Sequence, residues 1–345
     1  MNSKRPVVPE GLTSETRQLA VRPESVEPSG RGHRTRLIIG VVLGSIGSAY
    51  AASAPVLSSV VIAFGVAVAI GGGGRLERAV SLISALVAGV VGTYLLFGTY
   101  EIPMTVVSVL CAFLLAWGYV SDRLRTGWLL LAAAAVTCIM IGIDTVSTSM
   151  QGTSITDLVA SMVDEAVTSS MGSLDMEGKA VLLETRDQMM AYWPTVYFTV
   201  ALGIVVCSLF GAWTGARTCM LPVSSDGVYR YDVPLCVAEL FAVGVAAQLL
   251  GPFLPAWQEE TAMVGANVVM CTRIVLAQQG ISVLLWRMRE RRVAVLFATL
   301  GVLSAVWLEM SFALASVVGL LDVVANFRHL PRNRMDLRLW PASER

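Results

Sequence analysis

From Leu37 to Ile70 the chain runs for about 34 residues without one charged side chain. A single bilayer crossing needs about 20 apolar residues, and about 17 is near the lower limit. The run therefore holds one long helix or a tight pair. Pro55, beside Ser53 and Ala54, supplies a turn at its middle, and the run is divided there. Further apolar segments follow at about 79–98, 102–120, 127–147, 194–214, 234–255 and 262–286. A final run, Val293 to Phe327, again suits two short spans, with Glu309 near its midpoint where a turn can reach polar surroundings. The expected fold is all-α, a polytopic transmembrane helical bundle of about ten spans.

Composition agrees. Apolar residues make up 55% of the chain and charged residues only 14%, with a mean hydropathy of +0.68. Soluble domains carry about 25% charge, so this chain needs lipid as its solvent. Residues 1 to about 36 are rich in Pro, Ser, Glu and Arg and read as a disordered cytoplasmic tail. The membrane domain is expected over 37–327 and a basic cytoplasmic tail over 328–345. No apolar stretch with a small-residue cleavage site precedes the first span, so no removable signal is expected.

Charge patterning tests the span count. With both termini inside, ten spans place Arg31, Arg34, Arg36, Arg75, Arg78, Arg123, Arg125, Arg217, Arg230, Arg287, Arg289, Arg291, Arg292, Arg328, Arg332, Arg334 and Arg338 in the cytoplasm. Only Lys179 and Arg186 remain outside, among acids such as Glu101, Asp157, Asp164, Glu165, Asp175, Glu177, Glu184, Asp187, Glu259 and Glu260. This is the bias the positive-inside rule describes, and a plasma-membrane location in a bacterium follows as the expectation. Tyr100, Trp128, Trp193, Tyr231, Trp257 and Trp286 fall near predicted span ends, as interfacial anchors do.

The one long outside segment, 148–192, predicts two amphipathic helices. In the first, Ile155, Leu158, Met162 and Val167 share a side; the second, from Met176 to Trp193, carries Val181, Leu182, Met189 and Tyr192. Lying on the membrane face accounts for both; a lid over a solute site is the sharper alternative.

Small residues recur every fourth position at Gly40, Gly44, Ser48 and Ala52, and again at Ser84, Ala88 and Gly92. Such stripes let helices approach closely. Packing within the chain explains them, and docking to a partner subunit is the alternative.

Segment 262–286 carries Asn267, Arg273, Gln278 and Gln279. Arg273 lies near its centre and cannot shed its charge; insertion there costs about 2.5–3.5 kcal/mol. At 100° per residue, Ala266, Ala277 and Gly280 share its side, which suits a bundle interior. Glu239, Glu309 and Asp144 are the candidate acidic partners, with Glu239 near the cytoplasmic start of its span, where an interfacial position is the alternative reading. An intramembrane charge is a candidate for binding an anionic solute group, so Arg273, Asn267, Gln278, Gln279, Glu239 and Glu309 form the candidate substrate-binding set; a structural ion pair or a snorkelling Arg273 side chain is the alternative. Asp322, just before Asn326 and Arg328, reads as a structural partner for that arginine.

Other chemistries lack their residues. Gly71 to Gly74 are followed by Arg75-Leu76, where a phosphate loop needs Lys-Ser/Thr. No zincin motif, serine-hydrolase elbow or intramembrane aspartate pair occurs. Cys111, Cys138, Cys207, Cys219, Cys236 and Cys271 show no CxxC spacing, and both histidines, His33 and His329, lie in polar flanks. No cofactor, metal, enzymatic activity or nucleic-acid partner is expected.

Ala277-Gln278-Gln279-Gly280, the basic turn through Arg292, Gly319-Leu320-Leu321-Asp322 and Asn326-Phe327-Arg328 occur in that order. Trp193-Pro194 and Tyr231-Asp232-Val233-Pro234 each open a span, the first after an acidic amphipathic segment. In this order the chain, over about 37–330, resembles the YybS-like family of predicted bacterial membrane proteins, whose biochemical function is unknown. That family is distantly similar to the substrate-binding subunits of energy-coupling-factor transporters. The resemblance implies small-solute uptake driven by separate ATPase subunits. About ten spans rather than six, and no matching pocket motif, set this chain apart, so no binding residue is carried over. A membrane scaffold or regulator of the cell envelope, with stable partners and no solute, is the rival expectation.

Overall fold

The computed structural model describes residues 30–71, 74–171, 175–221, 231–253 and 258–330, and among these it is helical without strands. The helices are α1 (Gly30–Ala49), α2 (Pro55–Ile70), α3 (Arg75–Phe97), α4 (Ile102–Val120), α5 (Thr126–Met150), α6 (Ile155–Met171), α7 (Met176–Thr218), α8 (Leu235–Leu250), α9 (Gln258–Glu290), α10 (Val295–Phe312) and α11 (Leu314–Ala325). A short 3-10 turn, Gly251–Phe253, follows α8. The tail expected at 1–36 lies outside the described residues up to 29; from Gly30 the chain is already helical, ahead of Leu37. The C-terminal tail lies outside them from 331 onward.

Among the described residues, six helices are long and apolar enough to cross a membrane: α3, α4, α5, α7, α9 and α10. α2, α8 and α11 are shorter, at 16, 16 and 12 residues, or about 24, 24 and 18 Å at 1.5 Å per residue. Many large apolar side chains face outward, and in the spanning window of α10 no residue is buried. Such a surface suits hydrocarbon rather than water.

Both long terminal runs break where the sequence places a turn. Pro55 occupies the first turn of α2, where its missing N–H costs nothing. Between α10 and α11, Ala313 adopts a left-handed conformation (φ 56°).

α2 is the centre of the N-terminal half. Ile62, Ala63, Val66 and Ala67 are fully buried between α1, α4 and α7. Glycines make the approach possible. A Cβ on Gly65 would stand 2.4 Å from the Gly44 nitrogen and 2.6 Å from the Gly40 oxygen. One on Gly211 of α7 would stand 2.2 Å from the Val60 carbonyl oxygen. The first small-residue stripe thus packs within the chain at Gly40 and Gly44, and Ser48 continues it against Gly89. Ala52 falls in the turn after α1.

The buried face of α3 is Ser81, Ala85, Gly89 and Thr93, with Ser84, Ala88 and Gly92 half-buried beside it. Both rows are small, and the buried Thr93–Thr105 hydroxyl bond to α4, 2.8 Å, selects the former. Gly92 still meets Ala49, whose Cα would lie 2.8 Å from its Cβ.

The C-terminal half, α8 to α11, gathers around α9, which also contacts α7 and so joins the halves. Gly280 and Gly319 bring α9 and α11 together: a Cβ at either would lie 1.9 Å from a carbonyl oxygen of the other helix, Ala315 or Leu276.

The amphipathic helix expected up to Trp193 and the span expected from Pro194 are one continuous helix. α7 is one helix of 43 residues with Pro194 inside it, about 65 Å long. Its first part packs against α6, so the two amphipathic helices expected over 148–192 are present and pair with each other. The packed side of α6 runs through Ile155, Val159, Val163 and Val167, whereas Met162 is 63% exposed. At 100° per residue a row of every fourth residue turns by about 40° per step, so Met162, about 20° from Ile155, is about 100° from Val163 and leaves the packed side. Ser154 and Asp157 cap α6 reciprocally: the Asp157 amide donates to Ser154 Oγ (3.1 Å), and the Ser154 amide donates to Asp157 Oδ2 (3.1 Å). Arg186 of α7 donates to Asp164 of α6 at 2.6 Å.

Arginines converge on one end of the N-terminal half. Arg78, at the start of α3, lies over Trp117 near the end of α4, 5.8 Å from its centroid. Arg217, near the end of α7, stacks on Trp213 at 4.6 Å. Leu221, just beyond α7, touches Gly71 at the end of α2. The α6–α7 hairpin, with its acids, emerges from the opposite end.

Replacing Gly280 or Gly319 by Ala is expected to cost about 1–3 kcal/mol through overpacking. Gly142→Ala, with nothing within 4 Å of the added Cβ, should be neutral or slightly stabilising; thermal unfolding in detergent reads the difference. The Ser154 hydroxyl and amide hold the Asp157 carboxyl below its ordinary value, and the Arg186 hydrogen bond does the same for Asp164. A depressed carboxylate stabilises the fold above its unfolded pKa, about 3.9, and loses that contribution as pH falls through the folded value. Amide protection of the first turn of α6 should therefore weaken below about pH 4. In Ser154→Ala the weakening should shrink.

Candidate functional site

α9 carries three polar side chains at six-residue intervals: Asn267, Arg273 and Gln279. At 100° per residue they project about 120° apart. Each reaches a different neighbour, so the candidate set does not form one site.

Asn267 faces α7 at the Pro194 interruption. Proline has no N–H, and its ring crowds the carbonyl one turn back. Asn267 Oδ1 accepts from the Thr195 amide (3.1 Å) and the Thr195 hydroxyl (2.7 Å). Its Nδ2 donates to the carbonyls of Ala191 (2.9 Å) and Met263 (2.9 Å). Ala191 and Thr195 are the pair that a regular helix bonds directly. The buried Asn267 amide lies as a spare peptide group across the turn, and α7 runs through Pro194 as one helix. Cys271 Sγ lies 3.7 Å from Thr195 Oγ1 and completes the cluster.

Arg273 faces the break between α10 and α11. Its Nε donates to Glu309 Oε1 at 2.8 Å and its Nη2 to the Glu309 carbonyl at 2.7 Å. Glu309 Oε2 accepts the Ser316 amide (2.8 Å) and Oε1 the Ser316 hydroxyl (3.0 Å). The carboxylate therefore sits on the first turn of α11, where a helix favours negative charge, and also neutralises the guanidinium. Glu309 is the partner among the three candidates; its side chain is 13% exposed and that of Arg273 30%. Gly280, on Arg273's side of α9, meets Ala315, so the narrow small face does turn into the bundle. Asp144 instead accepts a hydrogen bond from Tyr197 of α7. Glu239 is exposed on α8 and, among the described residues, makes no ion pair.

Gln279, fully buried, faces the entry to α8 and the exit from α11. Its Nε2 donates to Asp322 (2.7 Å) and Asp232 (3.3 Å), and its Oε1 accepts the Val233 amide (3.1 Å). Arg328 lies inside the same cluster. It donates to Asp322 Oδ2 from Nε (3.1 Å) and Nη2 (2.9 Å), and to the Tyr231 carbonyl (2.8 Å). Asp322 and Arg328 are the structural pair that their spacing suggested. Asn326, with φ 51°, turns the chain back so that Arg328 reaches inward. Gln278 accepts a hydrogen bond from the Tyr231 hydroxyl (3.3 Å).

No protein-family model, no curated protein and no solved structure matches the chain. Among the described residues, no group of three or more His, Cys, Asp or Glu side chains is placed to hold a metal. Sequence reasoning passed over Thr195 and Ser316, and read Asp232 only as part of a segment that opens a span. Pro194 was the available signal for the first, since a proline in a membrane helix requires a donor or acceptor nearby.

If Asn267 serves the groups around Pro194, its worth depends on that proline. Asn267→Leu should destabilise the native chain, and a Pro194→Ala background should remove on the order of 1 kcal/mol of that cost. A double-mutant cycle on detergent stability, with amide exchange at Thr195, checks this.

Proposed function

We propose that this chain is a multi-pass protein of the bacterial plasma membrane that binds or moves a small solute. About ten membrane-entering helices have both termini in the cytoplasm and the arginine-rich end inward. The ion pair between Arg273 and Glu309 carries the reading. Arg273 lies near the middle of the 33-residue α9. Its partner caps a broken helix, and its side chain keeps 30% exposure. Discontinuous helices with a charge at the break are a recurring way to hold a solute within a membrane. An anionic group competing with Glu309 for Arg273 and the first turn of α11 is the chemistry this arrangement suits. The YybS-like resemblance supports the same class, with separate ATPase subunits as the energy source.

A second reading, a membrane scaffold or envelope regulator, is favoured by one observation. Asn267, Arg273 and Gln279 all spend polar groups on partners within the chain.

Reconstitution into liposomes with a panel of small carboxylates and phosphates separates the two. Uptake or saturable binding is expected, with Arg273→Ala lowering it at least tenfold while the variant remains monodisperse. Full activity in that variant would remove Arg273 from the mechanism. No solute dependence for the native chain, with or without co-purifying ATPase subunits, would favour the scaffold.

A further inference from the structure

α8 packs on α9 through one face only. Val237 and Phe241 join the cluster that holds Val275 and Leu276 of α9, and Gly244 lies against Val268 and Val269. The opposite face, Cys236, Glu239, Val243, Ala246 and Leu250, is exposed. Val243 is 62% and Leu250 56% exposed. Intervals of three, four, three and four residues make this a straight seam of the kind that meets another helix at a shallow left-handed crossing. Cys236 and Ala246 are small enough for close approach.

Glu239 interrupts the seam at a depth that the register defines. The Val233 amide meets Gln279, and Gly244 meets Val268 and Val269. α8 and α9 run antiparallel, so Glu239 lies level with Arg273, near the midpoint of the 33-residue α9. A carboxylate on an outward face at this depth is costly in hydrocarbon and calls for a cation or a hydrogen-bond donor. Arg273 is already engaged with Glu309. α10 also shows an open apolar face, but one without an exposed charge, and lipid is sufficient to cover it.

We propose that this face of α8 docks a membrane-spanning helix of a different chain, one that brings an arginine or lysine to the level of Glu239. A two-fold contact with a second copy is opposed by charge, because it sets Glu239 near its own counterpart. The proposal depends on α9 crossing the bilayer and not on any solute at Arg273, so it can fail while the solute reading stands, and the reverse.

The test is photo-crosslinking of the full-length chain in its native cell. A photoreactive amino acid is placed at Val243, with Leu303 on α10 as the control face. The expected result is an adduct from Val243, not from Leu303, to a spanning helix of another protein. That helix carries a basic residue within about one turn of the crosslinked site. Glu239→Leu lowers the yield about tenfold, and Glu239→Lys combined with a basic-to-Glu change in the partner restores it. Because Glu239 is exposed, both variants should elute in detergent as the parent does. Adducts to lipid alone, to a second copy, or to a helix without a basic residue overturn the proposal. So does a yield unchanged by Glu239→Leu.

Discussion

In hydrocarbon no water is at hand to replace a lost hydrogen bond, so a polar group that enters the bilayer must find its partner in protein. The C-terminal half of this chain is organised by that requirement. α9 carries an amide, a guanidinium and a second amide on three sides, and each is answered by a feature that would otherwise be a defect. Asn267 meets the proline interruption in α7, Arg273 meets the break between α10 and α11, and Gln279 meets the buried Asp322–Arg328 pair. A buried ion pair contributes little net stability, because desolvation offsets attraction, but removing one partner is severe. These contacts therefore fix which helices are neighbours more than they add to stability.

Much of the fold was legible in the sequence because hydropathy and punctuation report directly on helices in lipid. The divisions at Pro55 and near Glu309, the hairpin over 148–192 and the gathering of arginines follow from apolar run length, proline and charge alone. Pro194 marks the change from amphipathic to apolar sequence but not the end of a helix. A proline ends a helix only when nothing else supplies the lost pairing, and the supplier, Asn267, is 72 residues from Thr195. On α3 two small rows run side by side, and both pack within the chain: Gly89 faces Ser48 and Thr105, and Gly92 of the expected stripe faces Ala49.

The candidate site was legible residue by residue but not as a group. Composition marks Arg273, Asn267 and Gln279 as unusual in an apolar helix, and each proved to be engaged. Helical geometry alone separates them, since six-residue spacing cannot bring side chains to one face. Of the acids considered, Glu309 was reachable because the helix breaks just beyond it. Glu239, at the same level as Arg273, points outward.

The enclosure of α2 has a bearing on how the protein is made. Its two flanks are closed by glycine-lined helices from very different parts of the chain. Ser59 of α2 bonds the Ile204 carbonyl of α7, 145 residues downstream. At about 5–20 residues per second of synthesis, α7 leaves the ribosome roughly 7–30 s after α2. The packing around α2 is therefore complete only once α7 has been synthesised.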